Sequence, residues 1–221
     1  MTEKAFVKQL ESIFINTNFI TKKEVKAGYG VADLVLVKLN HKNCIIRRKN
    51  NQFKKLVKEE YFRVLDCIPE KGRGKPVGVD ILVKKTGISK SFLKYRILEY
   101  LKKNKYIREE NKNFYFKING WIPIAKEIIA IEAKLKNWRR GFIQANRYKS
   151  FANKVYLAVP IEISHLVDKN LLKRFNIGLI VLDVRKNYKK ISRVKKEKPF
   201  NIYKYNLAAE FVLDKPILTK I

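Results

Sequence analysis

The run Ile128-Ile129-Ala130-Ile131-Glu132 constrains this chain more than any other stretch. Four of its five residues are apolar and three are isoleucine, a β-branched pattern that predicts a short, largely buried strand. Side chains alternate across a strand, so Glu132 and, two residues on, Lys134 project from one face at its carboxyl end. A carboxylate and an ammonium leaving a buried strand side by side suit a hard metal ion bound next to a phosphate. A strand that simply surfaces into a charged loop accounts for the same two residues.

Fifty Lys+Arg against twenty Asp+Glu give a formal charge of +30 over 221 residues, which calls for a polyanionic partner, nucleic acid first among them. A coding bias toward A and T explains the abundance of lysine better than the shortage of acids. Apolar content of 46% is enough for one large domain or two small ones, each with its own core. Cys44 and Cys67 stand alone, with no CxxC and no neighbouring His, which argues against a zinc site or a disulfide framework. His41 and His165 are too scattered for a His-based metal site or triad. With no apolar run of membrane-spanning length and no signal-peptide apolar segment, the expectation is a soluble cytoplasmic protein without membrane contact.

Along the chain, Phe6, Leu10, Ile13 and Phe14 place one helix between Glu3 and about Thr17, with Glu11 at the edge of its apolar stripe and Glu3 near its start, either of them a solvated acid or one that leans toward a site. Phe19 to Val25 reads as a strand, Ala27 to Gly30 as a turn, and Val31 to Val37 as a strand apolar on both faces. Asp33 is the anomaly within it. A carboxylate among Val31, Ala32, Leu34 and Val35 needs a partner, either a metal or lysine, or the backbone amides of the Gly-rich turn.

After Asn40 the character of the chain changes. His41 to Asn51 is polar and basic, Lys54 to Ile68 has approximate helical spacing, and Pro69 to Gly78 is a break. Val79 to Lys85 predicts a short helix, Thr86-Gly87-Ile88 a turn, and Ser89 to Lys103 a longer helix with serine at its N-cap. Tyr106 to Arg108 and Phe114 to Ile118 then flank a hairpin. Residues 119–126 lead back to the Glu132 strand, and Trp138 to Phe151 follows as a helix. Val155 to Val159 is a strand, Ile161 to Phe175 an amphipathic helix, and Ile177 to Val184 a strand. Arg185 to Lys198 carries eight basic residues and reads as a solvated face or loop, and the tail from Pro199 to Ile221 packs back on the sheet.

The middle segment, 54–118, resembles the winged helix-turn-helix family in its order of helix, short helix, glycine turn, helix and hairpin. The resemblance implies DNA contact through Lys90, Ser91, Lys94 and Tyr95 on the third helix, with Arg108 and Lys112 reaching phosphates from the wing. Without that segment, the order is helix, three strands, helix, strand (αβββαβ). Asp33 sits on the second strand, Glu132-Ala133-Lys134 ends the third, and Gln144 and Tyr148 share a face of the following helix. This resembles the PD-(D/E)XK nuclease superfamily, nearest its RecB-type and Holliday-junction-resolvase branches. Two departures stand out: Ala32 rather than proline precedes Asp33, and a whole domain separates Asp33 from Glu132 where a short hairpin is usual.

The resemblance implies an α/β fold with a restriction-endonuclease-like core, a mixed sheet flanked by helices, over residues 1–45 and 119–221, and an inserted winged helix over 50–118. It implies that Asp33, Glu132 and the backbone carbonyl of Ala133 hold Mg²⁺, or Mn²⁺ in its place, with Glu11 as an extra ligand from the first helix. Lys134 would act on the attacking water, and Gln144 and Tyr148 would support the site. The expected activity is metal-dependent endonucleolytic hydrolysis of DNA. A non-catalytic DNA-binding regulator on the same scaffold and an RNA nuclease are the alternatives. Whether the chain pairs as a homodimer is left open by the sequence.

Overall fold

Two strands from the start of the chain and four from its second half share one sheet in the computed structural model, which describes residues 1–15, 17–118, 122–183, 185 and 188–213. In chain order the elements begin with α1 (Glu3–Ser12), β1 (Ile20–Gly28), β2 (Gly30–Leu39), α2 (His41–Lys49), α3 (Glu59–Cys67), β3 (Val77–Gly78) and α4 (Val79–Thr86). They continue with α5 (Lys90–Phe92), α6 (Glu99–Lys103), β4 (Ile107–Asn111), β5 (Phe114–Lys117), β6 (Ala125–Ala133) and α7 (Trp138–Arg147). The last are β7 (Lys154–Pro160), α8 (Lys169–Arg174), β8 (Gly178–Asp183), β9 (Tyr188–Ile191) and α9 (Ile202–Val212). Contacts divide the chain into two units, Met1–Leu39 with Ala125–Val212, and Asn40–Ile124 with Leu213. The first division falls after Leu39, so that residues 40–45 join the second unit as the start of α2, with the Asn40 side chain accepting from the Asn43 N–H at its N-terminus.

The first unit is α/β, a mixed six-stranded sheet flanked by helices, in the order β1-β2-β6-β7-β8-β9. Strands β6, β7 and β8 run parallel, as helical crossovers require, and the other neighbours are antiparallel. Alternation sends Leu34, Leu36, Ile129, Ile131, Ala158 and Ile180 to one face, where Phe6, Val7 and Leu10 of α1 complete a core. Helix α7 packs on β6 and β7, and α9 on β1 and β6, where the Tyr205 hydroxyl donates to the Ala125 carbonyl at 3.1 Å. Strand β8 is buried throughout, Asp183 at its end included, as the apolar run Leu179–Leu182 predicts.

Several expected boundaries move. The first helix stops at Ser12 rather than near Thr17. The Trp138 helix gives way to a 3₁₀ turn at Tyr148–Ser150. The amphipathic helix expected over Ile161 to Phe175 is a 3₁₀ turn, Ile161–Leu166, followed by α8, because Asp168 accepts from the Leu171 N–H and starts a new helix there. The basic run after Arg185 is not all loop: β9 pairs antiparallel with β8 as the sheet edge, and its charges sit where an edge strand tolerates them. The tail forms α9. Of these expectations, positions 16, 119–121, 184, 186–187 and 214–221 lie outside the described residues.

The second unit combines α3, α4 and a continuous helical stretch, Lys90 to Lys103, with a three-stranded antiparallel sheet of order β3-β5-β4. Only Glu59–Cys67 of the helix expected from Lys54 forms, without a side-chain cap bond. Gly87, at φ +68°, ends α4 in a left-handed conformation open to glycine. Ser89 occupies the cap position, but its carbonyl, not its hydroxyl, makes the first bond, accepting from the Leu93 N–H at 2.9 Å. A π-helical segment, Leu93–Leu98, joins α5 to α6 and keeps Leu93, Ile97 and Leu101 in the core. Among the described residues no helix is long and apolar enough to cross a membrane.

Candidate functional site

Strands β2 and β6 pair in antiparallel register up to Leu34 against Ile131. One step further the same register sets Asp33 opposite Glu132, and opposed residues share a face of the sheet. The Ala133 N–H donates to Asp33 Oδ2 at 2.8 Å, so a side chain takes over where the backbone ladder ends. Asp33 therefore bonds the neighbouring strand rather than the amides of the glycine turn.

Glu132 is 1% exposed, and both of its oxygens have partners. Oε1 lies 2.9 Å from the Lys134 ammonium, and Oε2 accepts from the Tyr148 hydroxyl. That hydroxyl also sits 2.7 Å from the Val31 carbonyl, giving its single proton two acceptors on two strands. Tyr148 is brought there by the 3₁₀ turn that follows α7. Gly141 lets α7 approach closely, since a Cβ there would stand 2.7 Å from both Leu157 Cδ1 and Lys134 Cγ.

Burial pushes the Glu132 carboxyl up from its usual pKa; the Tyr148 bond pulls it down, and the Asp33 charge pushes it further up. Burial also raises Asp33, against the pull of the Ala133 N–H and Lys134. Desolvation alone would lower the Lys134 ammonium, but the bond to Glu132 and the two carboxylate charges outweigh it and leave its pKa raised. Lys134 is therefore a cation at neutral pH.

The donors facing one another are oxygens, which fits a hard divalent cation. Two carboxyls held above their ordinary pKa range by burial, with the Asp33 charge adding to the shift of Glu132, are stabilised as anions by such an ion. In an extended strand a residue's N–H and C=O face the same neighbour, so the Ala133 carbonyl is turned to the side of Asp33. Among the described residues no group of three or more His, Cys, Asp or Glu comes together, so an ion here would have two carboxylates, a carbonyl and water.

Glu11 is engaged by strand β1. Its carboxylate pairs with Lys23 at 2.8 Å and accepts from Thr21 at 3.0 Å, and the Lys23 bond holds its pKa down. The α1 acid that reaches the site is Glu3, 3.8 Å from the Lys134 ammonium. Glu3, Lys134, Lys136, Arg140 and Gln144 line a cleft of about 450 Å³, and Gln144 Oε1 is buried with no hydrogen-bond partner among the described residues. Sequence reasoning overlooked Lys136 and Arg140. Lys136 lies in the bend after β6 ends at Ala133, beyond the reach of strand periodicity, and Arg140 comes from α7, whose start is fixed by Asn137 accepting from the Arg140 N–H.

In the second unit Lys90, Ser91 and Tyr95 are exposed on one stretch of helix, and Lys94 is half-buried. Tyr95 is 71% exposed, with the Lys94 ammonium 5.9 Å from its ring centroid. Lys90 is paired with Asp80 at 2.7 Å. Arg108 and Lys112 are exposed on the β4–β5 hairpin, where Arg108 lies 3.8 Å from Glu110. Glu109 closes the hairpin: it accepts from the Asn113 N–H at 2.9 Å, which lowers its pKa, and from Lys102 at 3.1 Å. No protein-family model, curated protein or solved structure matches the chain.

Proposed function

We propose that this chain is a divalent-metal-dependent endodeoxyribonuclease of PD-(D/E)XK type, with its second unit a winged helix that positions DNA. The observation that carries the reading is the meeting of Asp33, Glu132 and Lys134 at the mouth of β2 and β6, from segments far apart in sequence. A buried carboxylate, Glu132, set opposite a half-buried one, Asp33, beside a lysine costs stability and serves no evident packing purpose. The order of helices and of the three-stranded sheet in the second unit supports the winged helix.

Asp33, Glu132 and the Ala133 carbonyl would hold Mg²⁺ or Mn²⁺, which when bound acidifies a water and neutralises charge on the scissile phosphate. Lys134, kept protonated by Glu132, acts as a hydrogen-bond donor and counter-charge for the developing phosphorane rather than as a base. Tyr148 holds Glu132 in its orientation. The unpartnered Gln144 Oε1 accepts a hydrogen bond from the attacking water. Lys136 and Arg140 offer the flanking phosphates positive charge. On the second unit, Tyr95, Lys94, Ser91 and Lys90 enter the major groove.

One observation favours a second reading, a DNA-binding regulator on a nuclease-like scaffold: both Glu132 oxygens and Asp33 Oδ2 already have partners within the protein. A single assay separates the two. Purified protein is incubated with linear, supercoiled, single-stranded and branched DNA, and with RNA, in Mg²⁺, Mn²⁺ or EDTA, beside Asp33→Ala and Lys134→Ala. Metal-dependent cutting of DNA by the wild type alone is expected. Equal cutting by all three proteins, or binding without cutting by any, overturns the enzyme, and preferential cutting of RNA replaces the substrate.

A further inference from the structure

The first unit holds a second concavity, built on the far side of the sheet order from the carboxylate pair. A cavity of about 470 Å³ opens between α8, β8 and the return of the chain through β9. Its floor is apolar, with Leu172, Ile177, Leu179 and Val181 all nearly buried. Its rim is cationic: Lys169 and Lys173 stand on α8, Lys190 on β9, and Arg193 just beyond. Among the described residues no acid lines it.

The cavity is held in shape by hydrogen bonds rather than by chance looping. Ser192 Oγ accepts from the Leu179 N–H at 2.7 Å, and the Ser192 N–H donates to the Leu179 carbonyl at 3.0 Å. The Asn176 amide bonds both the N–H and the carbonyl of Lys195, each at 3.0 Å. These ties fix residues 192–195 against the start of β8, while α8 is too short to cover Leu179 and Val181 fully.

We infer that this cavity binds a nucleotide, the base on the apolar floor and the phosphate among the rim cations. A lone inorganic phosphate makes no use of the floor. A fatty carboxylate brings one charge to four cations, whereas a phosphate monoester brings nearly two and several acceptor oxygens. The volume falls within the range of small-molecule sites. At the wall the Ser192 hydroxyl, whose oxygen accepts from the Leu179 N–H, has a proton to offer the polar edge of a base, and the Ser164 hydroxyl, which donates to the Ile161 carbonyl, has a lone pair to offer it. The nucleotide can be free, or it can be an unpaired residue of a strand: β6 and β8 are two strands apart, roughly 10 Å, so one strand could touch both places. The inference stands on the cavity and does not require the carboxylate pair to be catalytic.

The test is calorimetric titration in EDTA, which prevents cutting, with deoxyadenosine monophosphate, deoxyadenosine and decanoate, on the wild type, Asp33→Ala and the exposed-site double variant Lys173→Glu/Lys190→Glu. Saturable binding of the monophosphate is expected, unchanged in Asp33→Ala and weakened at least about tenfold both by removing the phosphate and by the double variant. Circular dichroism checks that the double variant is folded; should it not fold, Lys173→Gln alone is read in the same way. A single-stranded oligonucleotide that displaces the monophosphate identifies a strand as the source, and one that does not identifies the free nucleotide. Absence of saturable binding, indifference to the lysine substitutions, or equal affinity for decanoate or deoxyadenosine overturns the inference.

Discussion

The Asp33 carboxylate accepts a hydrogen bond at 2.8 Å from the N–H of Ala133, a residue one hundred positions further along the chain. This bond joins the two strands at the point where their ladder stops. It holds the half-buried Asp33 against the buried Glu132, and the consequences for pH, metal and packing can each be measured.

Raised carboxyl pKa values mean that the folded chain binds protons more readily than the unfolded chain in the window between the ordinary carboxylate range and the raised values. Stability therefore falls as pH rises through that window. Asp33→Asn, which retains an acceptor for the Ala133 N–H, should melt at a higher temperature than the wild type at neutral pH. The difference should close below the ordinary carboxylate range. A pH series of thermal melts checks it, and a lower melting point for the variant at neutral pH would contradict the electrostatic account.

A divalent ion that binds only the folded chain stabilises it by about 2.7 kcal/mol at a hundredfold excess over its dissociation constant. Mg²⁺ or Mn²⁺ should raise the melting temperature of the wild type, EDTA should reverse the rise, and Asp33→Asn should show none. Identical metal responses in both proteins would place the ion elsewhere.

Tyr148→Phe removes the bond that pulls the Glu132 pKa down, so that pKa should climb further. The acid limb of the cleavage–pH profile should move to higher pH. Loss of a buried hydrogen bond should cost about 1–3 kcal/mol in denaturant melts. An unmoved limb would remove Glu132 ionisation as the controlling event.

Gly141→Ala places a methyl 2.7 Å from Lys134 Cγ and Leu157 Cδ1. Overpacking of this kind costs about 1–3 kcal/mol, and the displaced lysine should lower the cleavage rate more than DNA affinity. Parallel rate and binding assays separate the two effects.

Lys94→Ala and Tyr95→Ala should weaken DNA binding, the lysine change reducing the salt slope by about one. Asp80→Asn, which releases Lys90 from its exposed ion pair, should strengthen binding modestly. Affinities that ignore all three substitutions would move the DNA contact off this helix.

The sequence made β6 and β8 legible because an apolar run bounded by polar residues leaves few alternatives. It also made the shared face of Glu132 and Lys134 legible, since strand periodicity fixes it. It did not distinguish Glu3 from Glu11. The two lie on similar sides of one helix but about 12 Å apart along its axis, and only the seating of α1 on the sheet selects between them. Asp168 is an N-cap residue type, but apolar spacing that continues through it reads as one helix, and the charge density of β9 says nothing about the strand beside it.

The sequence by itself determined which residues face together within each element, because alternation and helical pitch are local properties of the backbone. Only the tertiary structure decided that Asp33 stands against Glu132. That pairing depends on β2 finding β6 across the second unit, whose ends meet where the Asn40 N–H donates to the Ile124 carbonyl at 2.7 Å. With those ends together, the long excursion costs little loop entropy, and the antiparallel register of Leu39 through Leu34 delivers the acid to its place.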